Sequence, residues 1–408
     1  MKKLSLIILS SLYLHSENLN ELINYSMQNQ LINSVKYNIE ISQNKYKSIQ
    51  NSYLPNITIG TTYSNTDNET ISTPKSSLIS YANINYTLYD GGAKGLLYNS
   101  YESTIKSTKE NLNSTKNNIA LQVINHYFSY QSLLSQKKAK QKEIEQLNAQ
   151  YDRLKRFLKA GITTSDEVDK IISRVQTANV ILHETELSIQ TILHNLQYLT
   201  EKEITITTGS TIDEPVVQTN NLRADIKALE FSMDSILKSA KAIKSKNHPI
   251  ISLDNTYYNY QLDYDNTTYN NNLENQNIFK LNFSWNLYDF GKISSEYQSI
   301  YKQYQSLKSK YEYEKNKASV DLKLSIKAYE IAKLKIASAL ASLKAANSTY
   351  ETIQSKYQNG LVDNIAYLEA LSEKYNASSQ LKKAEYDLEI KKANIIYHSG
   401  KNLWEYIK

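Results

Sequence analysis

Between Gly95 and Gly161, and again between Gly291 and Gly360, the sequence contains neither glycine nor proline. Nothing in either interval stops a helix, so each predicts one uninterrupted helix, about 92–158 and about 292–357. At about 1.5 Å per residue such a helix is roughly 100 Å long. With only 9 Gly and 4 Pro in 408 residues, the rest of the chain also lacks the turn residues for many short elements. The apolar spacing agrees with helix. Tyr101, Ile105, Thr108, Leu112, Thr115 and Ile119 alternate steps of four and three, as do Ile144, Leu147, Tyr151, Leu154 and Leu158. In the second interval Ile336, Leu340, Leu343, Asn347 and Tyr350 keep the same rhythm. A narrow seam of this period is the signature of coiled-coil packing.

Before each long helix stand two alternating segments joined by a polar loop. They predict strands at about 54–66, 78–90, 249–261 and 278–289. In the last, Phe279, Leu281, Phe283, Trp285 and Leu287 point one way, and Lys280, Asn282, Ser284 and Asn286 the other. In the second, Ala82, Ile84, Tyr86 and Leu88 oppose Tyr81, Asn83, Asn85 and Thr87. Either these are amphipathic hairpins covered by another part of the chain, or their apolar face meets lipid. The helical seams are narrow and already used against other helices, so the alternation predicts membrane strands, apolar outside and polar inside. Tyr81, Tyr89, Tyr257, Tyr258, Tyr260 and Tyr288, near the strand ends, are expected to form an interfacial girdle.

The start of the chain, "MKKLSLIILSSLYLHS", has a basic head, an apolar run and a small residue at Ser16, which reads as a signal peptide over 1–16. No later apolar run approaches the ~20 residues of a spanning helix. There is no cysteine, hence no disulfide and no thiolate metal site. The net charge of +6 is too low and too dispersed for a nucleic-acid footprint. The densest basic run, "QKKAKQK" at 136–142, reads as a solvated helix face. His126, His183, His194, His248 and His398 have no metal-ligand spacing, and no phosphate loop or serine elbow is present. No enzyme, cofactor or metal is expected.

The two halves match without insertion. Asp90, Gly92, Tyr151, Gly161 and Tyr198 stand at one constant offset from Asp289, Gly291, Tyr350, Gly360 and Tyr397. This predicts a two-fold internal repeat: 17–203 as the first copy, 204–220 as a linker or equatorial segment, and 221–408 as the second. Each copy is a helix, a strand pair, a long helix, a glycine turn and a return helix.

That order, with "LPNITIG" at 54–60, "LYDGG" and "LYDFG" at the strand–helix joints, "KAGITTSDEVD" and "QNGLVDNIAYLEAL" at the helix turns and "NLRADI" at 221–226, resembles the TolC family of outer membrane channel proteins. The family usually has Arg-Pro-Asp-Ile where Ala224 replaces the proline here. The resemblance implies a mixed α+β homotrimer in which each chain gives four antiparallel strands to a 12-stranded transmembrane β-barrel, continued by a long α-helical coiled-coil tunnel through the periplasm. It implies helix turns at Gly161 and Gly360 that dock a periplasmic adaptor protein. It further implies a closed gate there, with Tyr357 bonded to Glu167 and acids ringing the constriction. Here the acid positions hold Ala366 and Glu369, with Asp363 as a displaced candidate, and Val362 takes a usually basic position. Asp90, Gly92, Asp289 and Gly291 are expected to form the strand–helix joints, the aspartates capping the following helix.

The function so implied is a passive exit duct in the outer membrane of a Gram-negative bacterium. It would serve a tripartite efflux pump or type I secretion system, with an RND or ABC inner membrane pump as further partner. The alternative from the residues alone is a periplasmic coiled-coil scaffold or adhesin without channel activity.

Overall fold

A computed structural model of the chain describes residues 16–216, 222–269 and 273–408. The leader read at 1–16 therefore lies outside the described residues except for Ser16, as do 217–220 of the linker, the neighbouring Asn221 and 270–272 of the second polar loop. The elements are β1 (Ser16–Glu17), α1 (Leu19–Ser26), α2 (Gln30–Ser52), β2 (Asn56–Asn65), β3 (Ser76–Asp90), α3 (Ala93–Lys159), α4 (Ser165–Thr200), β4 (Thr205–Ile206), α5 (Ala224–Lys244), β5 (Ile250–Asp263), β6 (Asn275–Ser284), α6 (Lys292–Gln358) and α7 (Asn364–His398). Two compact units emerge. One takes the residues up to Ser34, Leu112–Ala224 and Asn316–Lys408, and the other Val35–Asn111 and Asp225–Lys315.

The second unit holds an antiparallel sheet ordered β2-β3-β5-β6. Its register places Ile57 opposite Ile84, Leu253 opposite Leu281 and Ile251 opposite Phe283. Ile57, Ile59, Phe279, Leu281 and Phe283 are all at least 64 % exposed, so none of the described residues covers this face. On the opposite face Asp254 accepts bonds from Asn83 (2.9 Å) and Asn85 (3.5 Å). Tyr81, Tyr258 and Tyr260 belong to that polar face: Tyr81 pairs with Tyr258, and the Tyr258 and Tyr260 rings stack at 5.7 Å. They are two residues apart or directly paired, and the period of two puts them opposite the apolar row. The girdle expected of them is thereby corrected, leaving Tyr257 in register with the apolar residue Ala82.

The fourth strand is shorter than its alternation predicts, ending at Ser284 instead of near 289. Its partner β5 begins opposite Ser284 at Ile250, just after Pro249, which has no N–H to donate. Trp285 therefore leaves the ladder, and its indole N–H donates to the Asn247 carbonyl (2.9 Å).

Helix packing in this unit also departs from the expected seam. The buried row of α3 is Ser100, Ser103 and Ser107, whereas Tyr101, Ile105 and Thr108 are half-buried. Ser100 Oγ donates to the Ser235 carbonyl (2.9 Å) and Ser107 Oγ to the Ala228 carbonyl (2.8 Å). Hydroxyls that bond the facing backbone can take buried positions without an unpaired group. Composition hides this, because serine reads as a surface residue.

In the first unit, Leu19, Leu22, Ile32, Val123, Tyr127, Phe128, Leu196, Ile212, Ile396 and Leu403 make one core. Short pairings gather distant stretches around it: β1 runs parallel to β4, Ile212 bridges Ile407, and Thr211 and Lys408 exchange both backbone bonds at 2.9 Å. Buried Lys392 donates to the Ile212 carbonyl (3.1 Å) and to Glu389 (2.8 Å), whose other oxygen accepts the Ile212 N–H (2.6 Å). The seam of α6 here is Ala332, Ile336, Ala339, Leu343, Ala346 and Tyr350, all buried or half-buried in steps of four and three. Leu340, expected within it, is exposed, because it lies one residue past Ala339 and so off the stripe.

Candidate functional site: the strand–helix joints and the helix turns

Each joint is built by an aspartate that ends the apolar alternation. Asp90 accepts from the N–H groups of Gly92 (3.1 Å) and Lys94 (2.7 Å), and from the Tyr53 hydroxyl (2.9 Å). Asp289 accepts from Gly291 (3.0 Å) and Ile293 (2.7 Å). Each carboxylate satisfies otherwise orphaned donors at a helix start and sits at the positive end of its dipole. Burial, and next the bond to Asp90, pushes the Tyr53 phenol well above the ordinary tyrosine range, so it remains a donor. After the aspartate the chain turns left-handed, through Gly91 (φ 76°) in one half and Phe290 (φ 55°) in the other.

A Cβ on Gly91 would lie 2.4 Å from the Ser245 carbonyl oxygen, whereas one on Gly92 would meet nothing within 4 Å. Gly91→Ala is therefore expected to destabilise the protein by at least ~2 kcal/mol, and Gly92→Ala by ~1 kcal/mol, the left-handed backbone alone. Thermal unfolding of the detergent-extracted protein checks the ranking. Equal shifts for the two variants would contradict it.

The helix turns are alike in backbone. Gly161 and Gly360, both at φ 72°, follow helices whose last carbonyls are reclaimed by Ile162 N–H to Phe157 (2.9 Å) and Leu361 N–H to Lys356 (2.9 Å). This is the Schellman arrangement that a left-handed glycine permits. Asp363 caps α7, accepting from the Ala366 N–H (2.9 Å).

Above the turns, Leu147, Leu154, Val168, Ile171, Tyr350, Tyr367 and Leu371 form a second core of the first unit. The Tyr357 ring stacks on Tyr367 at 4.9 Å, and the Arg153 guanidinium stands 5.3 Å from its centroid. The hydroxyl of Tyr357 accepts a bond from Gln150, whose amide also donates to Asn364 (2.9 Å). Gln150 and Asn364 are each 6 % exposed. Burial raises the Tyr367 phenol far above its ordinary value and keeps it neutral.

The bond expected between Tyr357 and Glu167 is thus replaced within the chain. Glu167 pairs instead with Lys170 one turn along α4 (2.9 Å), and the tyrosine bonds the Gln150 amide. Glu369 lies on the exposed side of α7. Gln150, Asn364 and Arg153 were not singled out in the sequence. The available signal was that Gln150 falls on the apolar step between Leu147 and Leu154, where a polar residue needs a partner.

Among the described residues no group of His, Cys, Asp and Glu could hold a metal ion, and no helix is long and apolar enough to cross a membrane. An uncovered apolar sheet face joined to very long helices defines a class of outer membrane channel proteins, and the comparisons agree. The profile described as outer membrane efflux protein matches residues 26–200 and again 216–400, and the chain belongs to that family. No curated protein matches the sequence. Among solved structures, the outer membrane protein VceC of Vibrio cholerae superposes with TM-score 0.82 at 14% identity, covering 94% of this chain and 96% of that one. The Campylobacter jejuni CmeC outer membrane channel gives 0.83 at 16% identity, covering 95% and 86%. The open state of the Neisseria gonorrhoeae MtrE outer membrane channel gives 0.76 at 14% identity, covering 94% and 89%. The chain is thus an outer membrane efflux protein by family, with the fold of solved outer membrane channels.

Proposed function

We propose that three copies of this chain close a 12-stranded β-barrel in the outer membrane and continue it as a helical tunnel. The duct is passive and carries cargo from an inner membrane pump, RND or ABC, through a periplasmic adaptor to the exterior. The observation that carries this reading is the sheet itself. It has four strands, an uncovered apolar face and two open edges, β2 and β6. Four strands cannot close a barrel, and an open edge in lipid leaves each unpaired backbone group at a cost of several kcal/mol. Pairing β6 of one copy with β2 of the next removes both edges. A periplasmic scaffold or adhesin would leave the same apolar row in water.

The internal repeat, 17–203 and 221–408, is supported by the double match of the family profile and by the like geometry of the paired joints and turns. The loops at 65–77 and 262–277 face the exterior in this reading. Gly161 and Gly360 mark the adaptor-docking turns, and Tyr357, Glu167, Asp363 and Glu369 stand at the periplasmic gate. Native mass spectrometry in mild detergent tests the assembly. The expected species is three times the 46.8 kDa chain, less any leader. A stable monomer as the dominant species would overturn the reading.

A further inference from the structure

We propose that Tyr81, Tyr258 and Tyr260, on the polar face of the sheet, form a platform on the lumen wall that binds a flat organic cation; this rests on the barrel reading above. The platform begins at a missing side chain. Gly60 stands directly opposite Tyr81 in the register of β2 and β3. A Cβ on Gly60 would lie 2.5 Å from Cζ of Tyr81, so the ring leans across β2 through the space that the glycine leaves open. Side chains on a strand ordinarily stand roughly perpendicular to the sheet, and a glycine inside a strand allows such a close approach. From Tyr81 the aromatic surface continues to its register partner Tyr258, with centroids 6.1 Å apart and planes tilted by 46°. Tyr260 stacks on Tyr258 (5.7 Å, 20°), and its hydroxyl donates to Gln276 Oε1 on β6 (3.4 Å). Three rings therefore span the sheet from β2 to β6.

The neighbours decide what such a platform takes. Elsewhere in the chain lysines cover tyrosine rings, as Lys202 does at 3.5 Å from the Tyr25 centroid, Lys333 at 4.3 Å from Tyr329 and Lys374 at 4.2 Å from Tyr350, whereas among the described residues no Lys or Arg stands over Tyr81, Tyr258 or Tyr260. Their electron-rich faces, which attract cations, have no cation from the chain. The polar groups beside them are engaged with one another. Asn83 donates to Asp254 (2.9 Å) and to Thr256 (2.7 Å), and Thr256 donates in turn to the other oxygen of Asp254 (3.2 Å). A sugar needs free donors and acceptors around the ring it stacks on, and finds few here; a flat cation needs only the rings. Lys280 stands opposite Asp254 in register, so the nearest opposite charges offset each other and the rings carry the selectivity. Tyr81 is nearer the loop end of β3 at Ser76 than the joint at Asp90, which in the barrel reading makes the platform accessible from the exterior.

The test is block of the single-channel current of the full chain in planar bilayers, with proflavine, tetrabutylammonium or maltohexaose added to each side in turn. Proflavine, a flat cation, is expected to block; tetrabutylammonium, a cation without a flat face, and maltohexaose, an uncharged sugar, are expected to block far less. Tyr258→Leu combined with Tyr260→Leu should weaken the proflavine block about tenfold, by removing two of the three rings. Tyr258→Phe combined with Tyr260→Phe keeps the rings without their hydroxyls and should leave the block unchanged. Equal proflavine block of the leucine variant and the wild type, or equal block by tetrabutylammonium, overturns the platform and leaves the barrel standing. Stronger block by maltohexaose overturns the cation in favour of a sugar. Absence of any channel current from the wild type overturns the barrel reading itself. If the leucine variant does not assemble, the wild-type and phenylalanine channels decide: block of both by proflavine in preference to tetrabutylammonium supports the platform, and no proflavine block in either overturns it.

Discussion

Gln150→Leu combined with Tyr357→Phe raises the resting single-channel conductance in planar bilayers and sensitises cells to large antibiotics, without dissociating the oligomer. The buried amide of Gln150 ties α3 to both Tyr357 on α6 and Asn364 on α7. A neutral hydrogen bond contributes ~1 kcal/mol net. Two bonds per chain in the three chains of the proposed trimer amount to ~6 kcal/mol, about four decades in the closed-to-open ratio if opening breaks them all. Glu167→Gln is the informative control, because that carboxylate is already engaged by Lys170 and contributes little to the tie. Unchanged conductance in the double variant, with assembly intact, would remove Gln150 and Tyr357 from the gate and leave Asp363 and Glu369 as its candidates.

Leu281→Arg abolishes assembly in the outer membrane, whereas Asn282→Arg on the opposite face is tolerated. Arginine on a lipid-facing strand costs ~2–4 kcal/mol at mid-bilayer, and a trimer repeats that cost three times, ~6–12 kcal/mol in all. That is comparable with the whole stability of many domains. The yield of detergent-extracted oligomer from the outer membrane fraction measures the effect. Equal yields for the two variants would mean that the exposed face of Phe279, Leu281 and Phe283 does not meet lipid.

Elements whose identity depends on local signals were legible in the sequence. The long intervals without glycine or proline gave α3 and α6, and the period of two gave the faces of the sheet. Elements that depend on a distant partner were less so. The alternation of β6 continues through Trp285 and Leu287, yet pairing stops at Ser284 because β5 begins after Pro249. The serine seam against α5 was hidden because a buried hydroxyl is betrayed only by the carbonyl it meets. Near the helix turns, the resemblance implied a bond from Tyr357 to Glu167, but the partner is chosen by packing. Gln150 lies more than two hundred positions away in the chain, and no local pattern connects them. Phe290 could have been noticed by setting "LYDFG" over "LYDGG", where a glycine with positive φ faces a phenylalanine.

The core of the first unit is sewn from stretches near both limits of the described chain. Glu17 lies beside Ile206, Leu19 and Leu22 share a core with Leu196 and Leu403, and Thr211 is paired to Lys408. Contacts of such sequence separation require large loops to close before they yield any stabilisation. During export, a chain that has delivered only its first half can hold helices but cannot complete this core. Over the same interval β3 still lacks its partner β5. A truncation removing residues 403–408 should fail at the same step as a deletion of residues 17–22, since both leave the core open.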